Sequence, residues 1–181
     1  METIPIRLLV LMGVTGCGKT TLGRALAVTL QWDFLEGDAF HSPLSLSKMV
    51  RGESLEDDDR FPWLERLGQE VQLREAHGKC SVLACSALKE KYRDVLRQAS
   101  RDVRFVHLVG DPARLAERLA RRTGHFADGR LLPSQLAVLE PCPGALELDA
   151  FLPVNELVAQ VMEWLGETAR PAPASGQTRA S

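Results

Sequence analysis

The sequence predicts an α/β fold, a mostly parallel five-stranded sheet covered on both faces by helices. Two observations carry this. Short apolar runs rich in Leu and Val alternate with longer stretches whose apolar residues recur at helical spacing, and strand–helix alternation of that kind makes parallel neighbours. The first apolar run also ends in a glycine-rich turn that leads straight into the first helical stretch, the strand–turn–helix order of a parallel unit.

The elements follow in chain order. Residues 7–12 (RLLVLM) form a strand that stops at Gly13; unbroken apolar character suits a strand buried on both faces. Residues 19–30 are a helix with Leu22, Ala25, Leu26 and Leu30 on one side. Residues 32–36 are a second short strand, and 44–50 suit a short helix closed by Gly52. A longer helix covers 59–77, with Pro62 in its first turn, where the missing amide is harmless, and Gly78 as its stop. Residues 81–85 (SVLAC) are a third strand, 89–99 a helix and 103–109 (VRFVHLV) a fourth strand. Asp111 then caps a helix whose first turn holds Pro112, running to about Arg122. A basic, glycine-containing loop spans 123–132, a short helix 133–139, a weak fifth strand 146–148 and a last amphipathic helix 153–165. The expected organisation is a single domain over 1–166. The tail 167–181 (ETARPAPASGQTRAS) has almost nothing to bury and is expected to be disordered.

Composition narrows the function classes. Lys and Arg number 22 against 24 Asp and Glu, a net charge of -2, so no global basic excess points to nucleic acid or an anionic membrane surface. No apolar run approaches the ~20 residues of a membrane span, and the start lacks a signal-peptide pattern, so a cytoplasmic location is expected. Cys17, Cys80, Cys85 and Cys142 form no CxxC pair and have no zinc-type spacing; they read as reduced thiols.

Gly13-Val14-Thr15-Gly16-Cys17-Gly18-Lys19-Thr20 fits G-x-x-x-x-G-K-[ST] in full, between a buried strand and a helix, where that motif works. Its glycines let backbone N–H groups turn inward around phosphate oxygens, and the positive end of the following helix faces the same anion. These eight residues, with Thr21 behind them, are the candidate nucleotide cradle. Lys19 is expected to reach the β- and γ-phosphates, and the Thr20 hydroxyl to ligand Mg²⁺.

A phosphate loop alone does not choose between kinase, GTPase and motor. The chain has no N-K-x-D tetrad, its third strand ends in Cys85-Ser86 rather than an acid, and it is too short for a motor. A small-molecule kinase remains. Glu36 and Asp38, two apart at the end of the second strand, point the same way, toward the edge where open parallel sheets bind ligands. Asp38 is expected to orient or deprotonate a substrate hydroxyl, and Glu36 to hold Mg²⁺ through water. Lys48, Arg51 and Arg60 offer cations to an anionic substrate. Asp57 and Asp58 read as a solvated helix start, and Trp63 as core.

With these residues in place the chain resembles the gluconokinase family, ATP-dependent kinases of D-gluconate within the shikimate-kinase and adenylate-kinase-like group. The resemblance rests on residues 10–20, Gly37-Asp38 with His41, Lys48-Met49 with Gly52, and Asp57 to Arg60 with Pro62-Trp63-Leu64. It continues through Cys85-Ser86-Ala87-Leu88-Lys89, Tyr92-Arg93-Asp94, Gly124-His125-Phe126, Ser134-Gln135 and Leu139-Glu140-Pro141. It implies a three-layer P-loop kinase fold with a lid at about 123–133. It also implies transfer of the ATP γ-phosphate to the 6-hydroxyl of D-gluconate, with Mg²⁺, by a homodimer. Substrate contacts are implied at Asp38, His41, Lys48, Arg51, Arg60, Ser86, Lys89, His125 and Gln135. Lys19, Asp38, Arg118 and Arg122 are the implied catalytic residues, the two arginines serving as lid cations. The chain departs from the family pattern at Ser42, Ser45 and Ser54, which replace Pro, Asn and Pro, and at Glu36, where Asp is common.

Two other readings stay open at this point. One keeps the fold and takes another acceptor, a shikimate-like acid or a nucleoside monophosphate. The other is a nucleotide-binding protein without turnover. Lys19, Thr20 and the lid arginines argue against the second, because binding alone needs no cations aimed at a transferred phosphate.

Overall fold

The computed structural model describes residues 6–121 and 129–168. The expectations placed on Arg122, Gly124, His125, most of the lid and the tail beyond Thr168 lie outside the described residues. Five strands, β1 (Leu8–Met12), β2 (Asp33–Glu36), β3 (Ser81–Ala84), β4 (Val103–Val109) and β5 (Leu146–Asp149), form one sheet in the order β2-β3-β1-β4-β5. Every pairing is parallel, as the strand–helix alternation requires. Leu11 and Glu36 both lie beside Ala84, so β1, β2 and β3 end nearly level and deliver their following turns to one edge.

Seven helices, α1 (Lys19–Leu30), α2 (Pro43–Val50), α3 (Asp57–Ala76), α4 (Glu90–Ala99), α5 (Pro112–Ala120), α6 (Leu132–Val138) and α7 (Val154–Thr168), complete the described fold. Alternation along β1 sets the layers. Leu9 and Leu11 face one core, with Leu22 and Leu26 of α1, Leu115 of α5 and Val161 of α7. Leu8, Val10 and Met12 face the other, with Trp63, Leu64 and Leu67 of α3 and Leu96 of α4. Burying each such side chain stabilises the fold by about 1.5–3 kcal/mol. A strand apolar at every position is therefore what a sheet between two helical layers demands. Among the described residues no helix is long and apolar enough to cross a membrane.

The structure corrects several boundaries. α3 starts at Asp57, two residues earlier than expected, because Glu56 and Asp59 form a reciprocal capping box in which the Asp59 carboxylate accepts from the Glu56 amide at 3.0 Å. Pro62 accordingly sits inside the helix rather than in its first turn. A 3₁₀ turn at Gly37–Phe40 was not foreseen, and another at Gly129–Leu131 leads into α6 where loop was expected. α7 continues to Thr168. Other signals hold: Asp111 accepts from the Arg114 amide at 2.9 Å as the cap of α5. Ser42 caps α2, accepting from the Ser45 amide at 3.0 Å, and the two hydroxyls lie 2.9 Å apart. Two of the three serines that depart from the family pattern are thus bonded to each other.

Candidate active site

The phosphate loop lies between the carboxyl end of β1 and α1. Gly13 (φ 133°) passes so close to β4 that a Cβ there would stand 2.7 Å from the Leu108 carbonyl oxygen. Gly18 (φ 101°) is the left-handed residue that starts α1. These are the positions where only glycine fits without strain. The Lys19 ammonium folds over the loop and donates to the carbonyls of Gly13 (3.0 Å) and Val14 (2.9 Å). Arg118 of α5 lies against the same loop. Its guanidinium donates to the Gly16 carbonyl at 3.3 Å and the Ala150 carbonyl at 3.0 Å, and sits 4.3 Å above the Phe151 ring.

The loop forms one wall of a cleft. Lys19, Thr20 and Thr21 line it together with Glu36, Asp38, His41, Arg60, Ser86 and Gln135. Glu36 is hydrogen-bonded to Thr20; burial pushes its carboxyl pKa up, with the charge of Asp38 adding to the rise. The Asp38 carboxylate is 39% exposed, whereas the His41 side chain beside it is 3% exposed. His41 Nε2 lies 3.8 Å from Asp38 Oδ1, and its ring stacks on Trp63 at 4.1 Å between centroids. Burial lowers the His41 pKa to about 4, so the imidazole is neutral at pH 7.

Some expected residues are not brought into the cleft. Lys48 is bonded to both oxygens of Asp59 (2.7 and 2.8 Å), tying α2 to the start of α3. Arg51 is paired with Glu53 at 2.6 Å on the surface. Lys89 lines an adjoining hollow, together with Arg60, Tyr92 and Gln135. There Asp57 accepts from Lys89, Lys91 and Tyr92, which holds its carboxyl well below the usual range. Asp57 is a cross-element junction rather than a solvated helix start, whereas Asp58 is exposed as expected. All four cysteines are free, and burial pushes the Cys85 thiol up to about 12, leaving it inert.

Sequence reasoning missed other parts of the site. Glu53 lines the cleft without any motif to announce it, and Ser54 and Leu131, which belong to the family pattern only as a departure and a match, line it without having been given a role. Trp63 is core, as expected, yet its indole N–H donates to the Gly37 carbonyl at 2.8 Å. Arg93 is fully buried and donates to the carbonyls of Ala87, Leu88, Glu140 and Pro141 while pairing with Glu90, so it fastens the β3–α4 turn to the segment after α6. Its place in the family motif was the signal available.

The residues present fit Mg²⁺ and a triphosphate. Thr20 and Glu36 supply hard oxygen atoms, which suit magnesium, and they meet at the mouth of a glycine turn too tight for side chains.

A loop that grips phosphate, facing a carboxylate open to a second small reactant, is the working arrangement of a P-loop kinase of small molecules, and this sheet order places both at one edge. Comparison with known proteins narrows the class. A family model described as an AAA domain matches residues 8–142. A gluconokinase from Gluconobacter oxydans is 48% identical over 134 residues, covering 74% of this chain and 75% of that one. Among solved structures, a sugar kinase from Janibacter sp. superposes with a TM-score of 0.84 at 42% identity, covering 90% of this chain and 95% of the other. A gluconokinase from Sinorhizobium meliloti gives 0.80 at 39% identity, covering 92% and 94%. The chain belongs to the gluconokinase family.

Proposed function

We propose that the protein transfers the γ-phosphate of ATP to the 6-hydroxyl of D-gluconate, giving ADP and 6-phospho-D-gluconate. The observation that carries this is the meeting, in one cleft, of Lys19 and Thr20 from the phosphate loop with Asp38 at the end of β2. Arg60, Ser86 and Gln135 complete the acceptor side.

Phosphoryl transfer asks a protein for alignment and charge neutralisation more than for covalent chemistry. Residues 13–21 cradle the phosphates through backbone N–H groups. Asp38 orients the acceptor hydroxyl and takes its proton as the new O–P bond forms and the bond to the ADP oxygen breaks. Lys19 stabilises charge spread over the transferred group, and Arg118, fixed by two carbonyls beside the loop, adds a second cation. Arg60 faces the substrate carboxylate. Thr20, and Glu36 through water, would hold Mg²⁺, which would supply charge neutralisation at the phosphate oxygens. In this reading residues 1–166 act as one kinase domain in a homodimer, which the family resemblance implies, and the four free thiols suit a cytoplasmic location.

The test is ADP release measured side by side with D-gluconate, shikimate and AMP. Release that depends on gluconate alone is the expected result. Release with shikimate or AMP and none with gluconate would reject the assigned acceptor, and ATP binding without release on any acceptor would reject catalysis.

A further inference from the structure

Asp38 sits in a single 3₁₀ turn, Gly37–Phe40, closed by the His41 amide donating to the Asp38 carbonyl at 3.4 Å. A four-residue turn at the rim of a cleft has little of its own to hold it still. Its two ends are nevertheless gripped by one buried side chain. Trp63 of α3, 1% exposed, donates its indole N–H to the Gly37 carbonyl at 2.8 Å and lies flat against His41, 4.1 Å between centroids at 17°. Gly37 is pressed against the end of β3, where a Cβ would meet the Ala84 carbonyl oxygen at 2.5 Å, so the start of the turn has no room to slide. His41 in turn stands 3.8 Å from the Asp38 carboxylate. Trp63 itself does not line the cleft.

We propose that Trp63 is a positioning residue for the reaction: its indole N–H and its ring face hold the two ends of the turn that aims Asp38 at the acceptor hydroxyl. The inference rests on the reading that Asp38 handles that hydroxyl. A filler of core space needs only shape. Here a directional hydrogen bond runs from a buried indole to the residue immediately before Asp38, and leaving either partner unmet in that interior is costly. The same helix supplies Arg60 one turn earlier, so α3 sets the cationic wall and the aim of the carboxylate together. Neutral His41 completes the link. The charges that act on it are Asp38, Arg60 and Arg66.

The experiment is a double-mutant cycle of Trp63→Phe with Asp38→Asn, reading kcat and KM for gluconate and ATP. Phe keeps an aromatic face for His41 and removes the N–H. Misaim of a reacting group lowers kcat by about ten- to a hundredfold, with KM for ATP within about twofold because the phosphate loop is untouched. In the Asp38→Asn background the same change has no further effect, since there is no carboxylate left to aim. A Trp63→Phe protein with parental kcat, or one whose loss multiplies onto that of Asp38→Asn, overturns the proposal. Where Trp63→Phe is not recovered folded, benzothienylalanine at the same position keeps the bicyclic shape and lacks only the N–H, and the same two outcomes decide. The underlying reading fails separately: a parent protein inert toward gluconate, or Asp38→Asn as fast as the parent, removes that reading and the positioning role with it.

Discussion

Gln135 of α6 accepts a hydrogen bond of 2.6 Å from the backbone amide of Thr15, joining that helix to the phosphate loop. The other end of that segment is fixed as well. The Glu140 amide donates to the Leu88 carbonyl at 2.8 Å, and Arg93 holds the Pro141 carbonyl at 2.6 Å. α6 is therefore a strut between the nucleotide wall and the β3–α4 turn, with Ser134 and Gln135 facing the cleft.

Removing the middle of that strut loosens the site more than the fold. A neutral hydrogen bond contributes about 1 kcal/mol, so Gln135→Ala raises KM for gluconate by about fivefold. Thermal unfolding stays close to that of the parent. Steady-state kinetics at saturating ATP check this; an unchanged KM contradicts the role given to the contact.

Lys19 reaches over the loop to two of its carbonyls. Lys19→Ala lowers turnover on gluconate by about 10²–10³, the cost of losing one charge-stabilising group in a phosphoryl-transfer site. Circular dichroism remains parental, because the lost bonds lie within one loop and no helix or strand bond goes with them. Near-normal turnover refutes the assignment.

His41 makes the fold acid-sensitive. The unfolded chain binds a proton at this residue near pH 6.5, the folded one only near 4, because burial opposes the charge. Between those values the unfolded state holds more protons, so stability falls as pH drops from about 6.5 to about 4 and this contribution is flat outside that window. The loss amounts to about 3 kcal/mol in full. Urea unfolding of the parent and of His41→Gln at pH 7.5 and 4.5 separates this contribution from other groups. Equal acid sensitivity of the two proteins contradicts it.

Arg93 is 0% exposed and bonds four carbonyl groups. Arg93→Met strips the Ala87, Glu140 and Pro141 carbonyls of this donor, while Leu88 keeps the Glu140 amide, and costs about 3 kcal/mol of stability, because buried polar groups stripped of a partner keep their desolvation penalty. Guanidinium unfolding measures it. A change below about 1 kcal/mol shows that the clamp is dispensable.

The parts legible in the sequence are those in which local chemistry decides. Glycines at fixed spacing, a buried strand before them and a lysine after them specify the phosphate loop, and Asp111-Pro112 specifies the start of α5. The start of α3 was hidden because three consecutive aspartates offer several caps, and only the reciprocal bonds of Glu56 and Asp59 select one. Lys48 and Arg51 read as free cations, yet Asp59 and Glu53, close in sequence and equally plausible as solvated acids, neutralise them in space. Hydropathy places Trp63 in the core but carries no information on where its N–H points. The Gln135–Thr15 bond spans 120 residues, and no local pattern encodes its geometry.

The central claim is that the loop of residues 13–21 and Asp38 act on two reactants bound in one cleft. The most direct measurement is NMR of uniformly ¹³C-labelled D-gluconate incubated with the protein and MgATP. The account predicts a single product in which phosphorus couples to C6 and C5, formed together with ADP. Gluconate left unchanged while ATP is consumed on another acceptor, or phosphate attached at any other carbon, contradicts it.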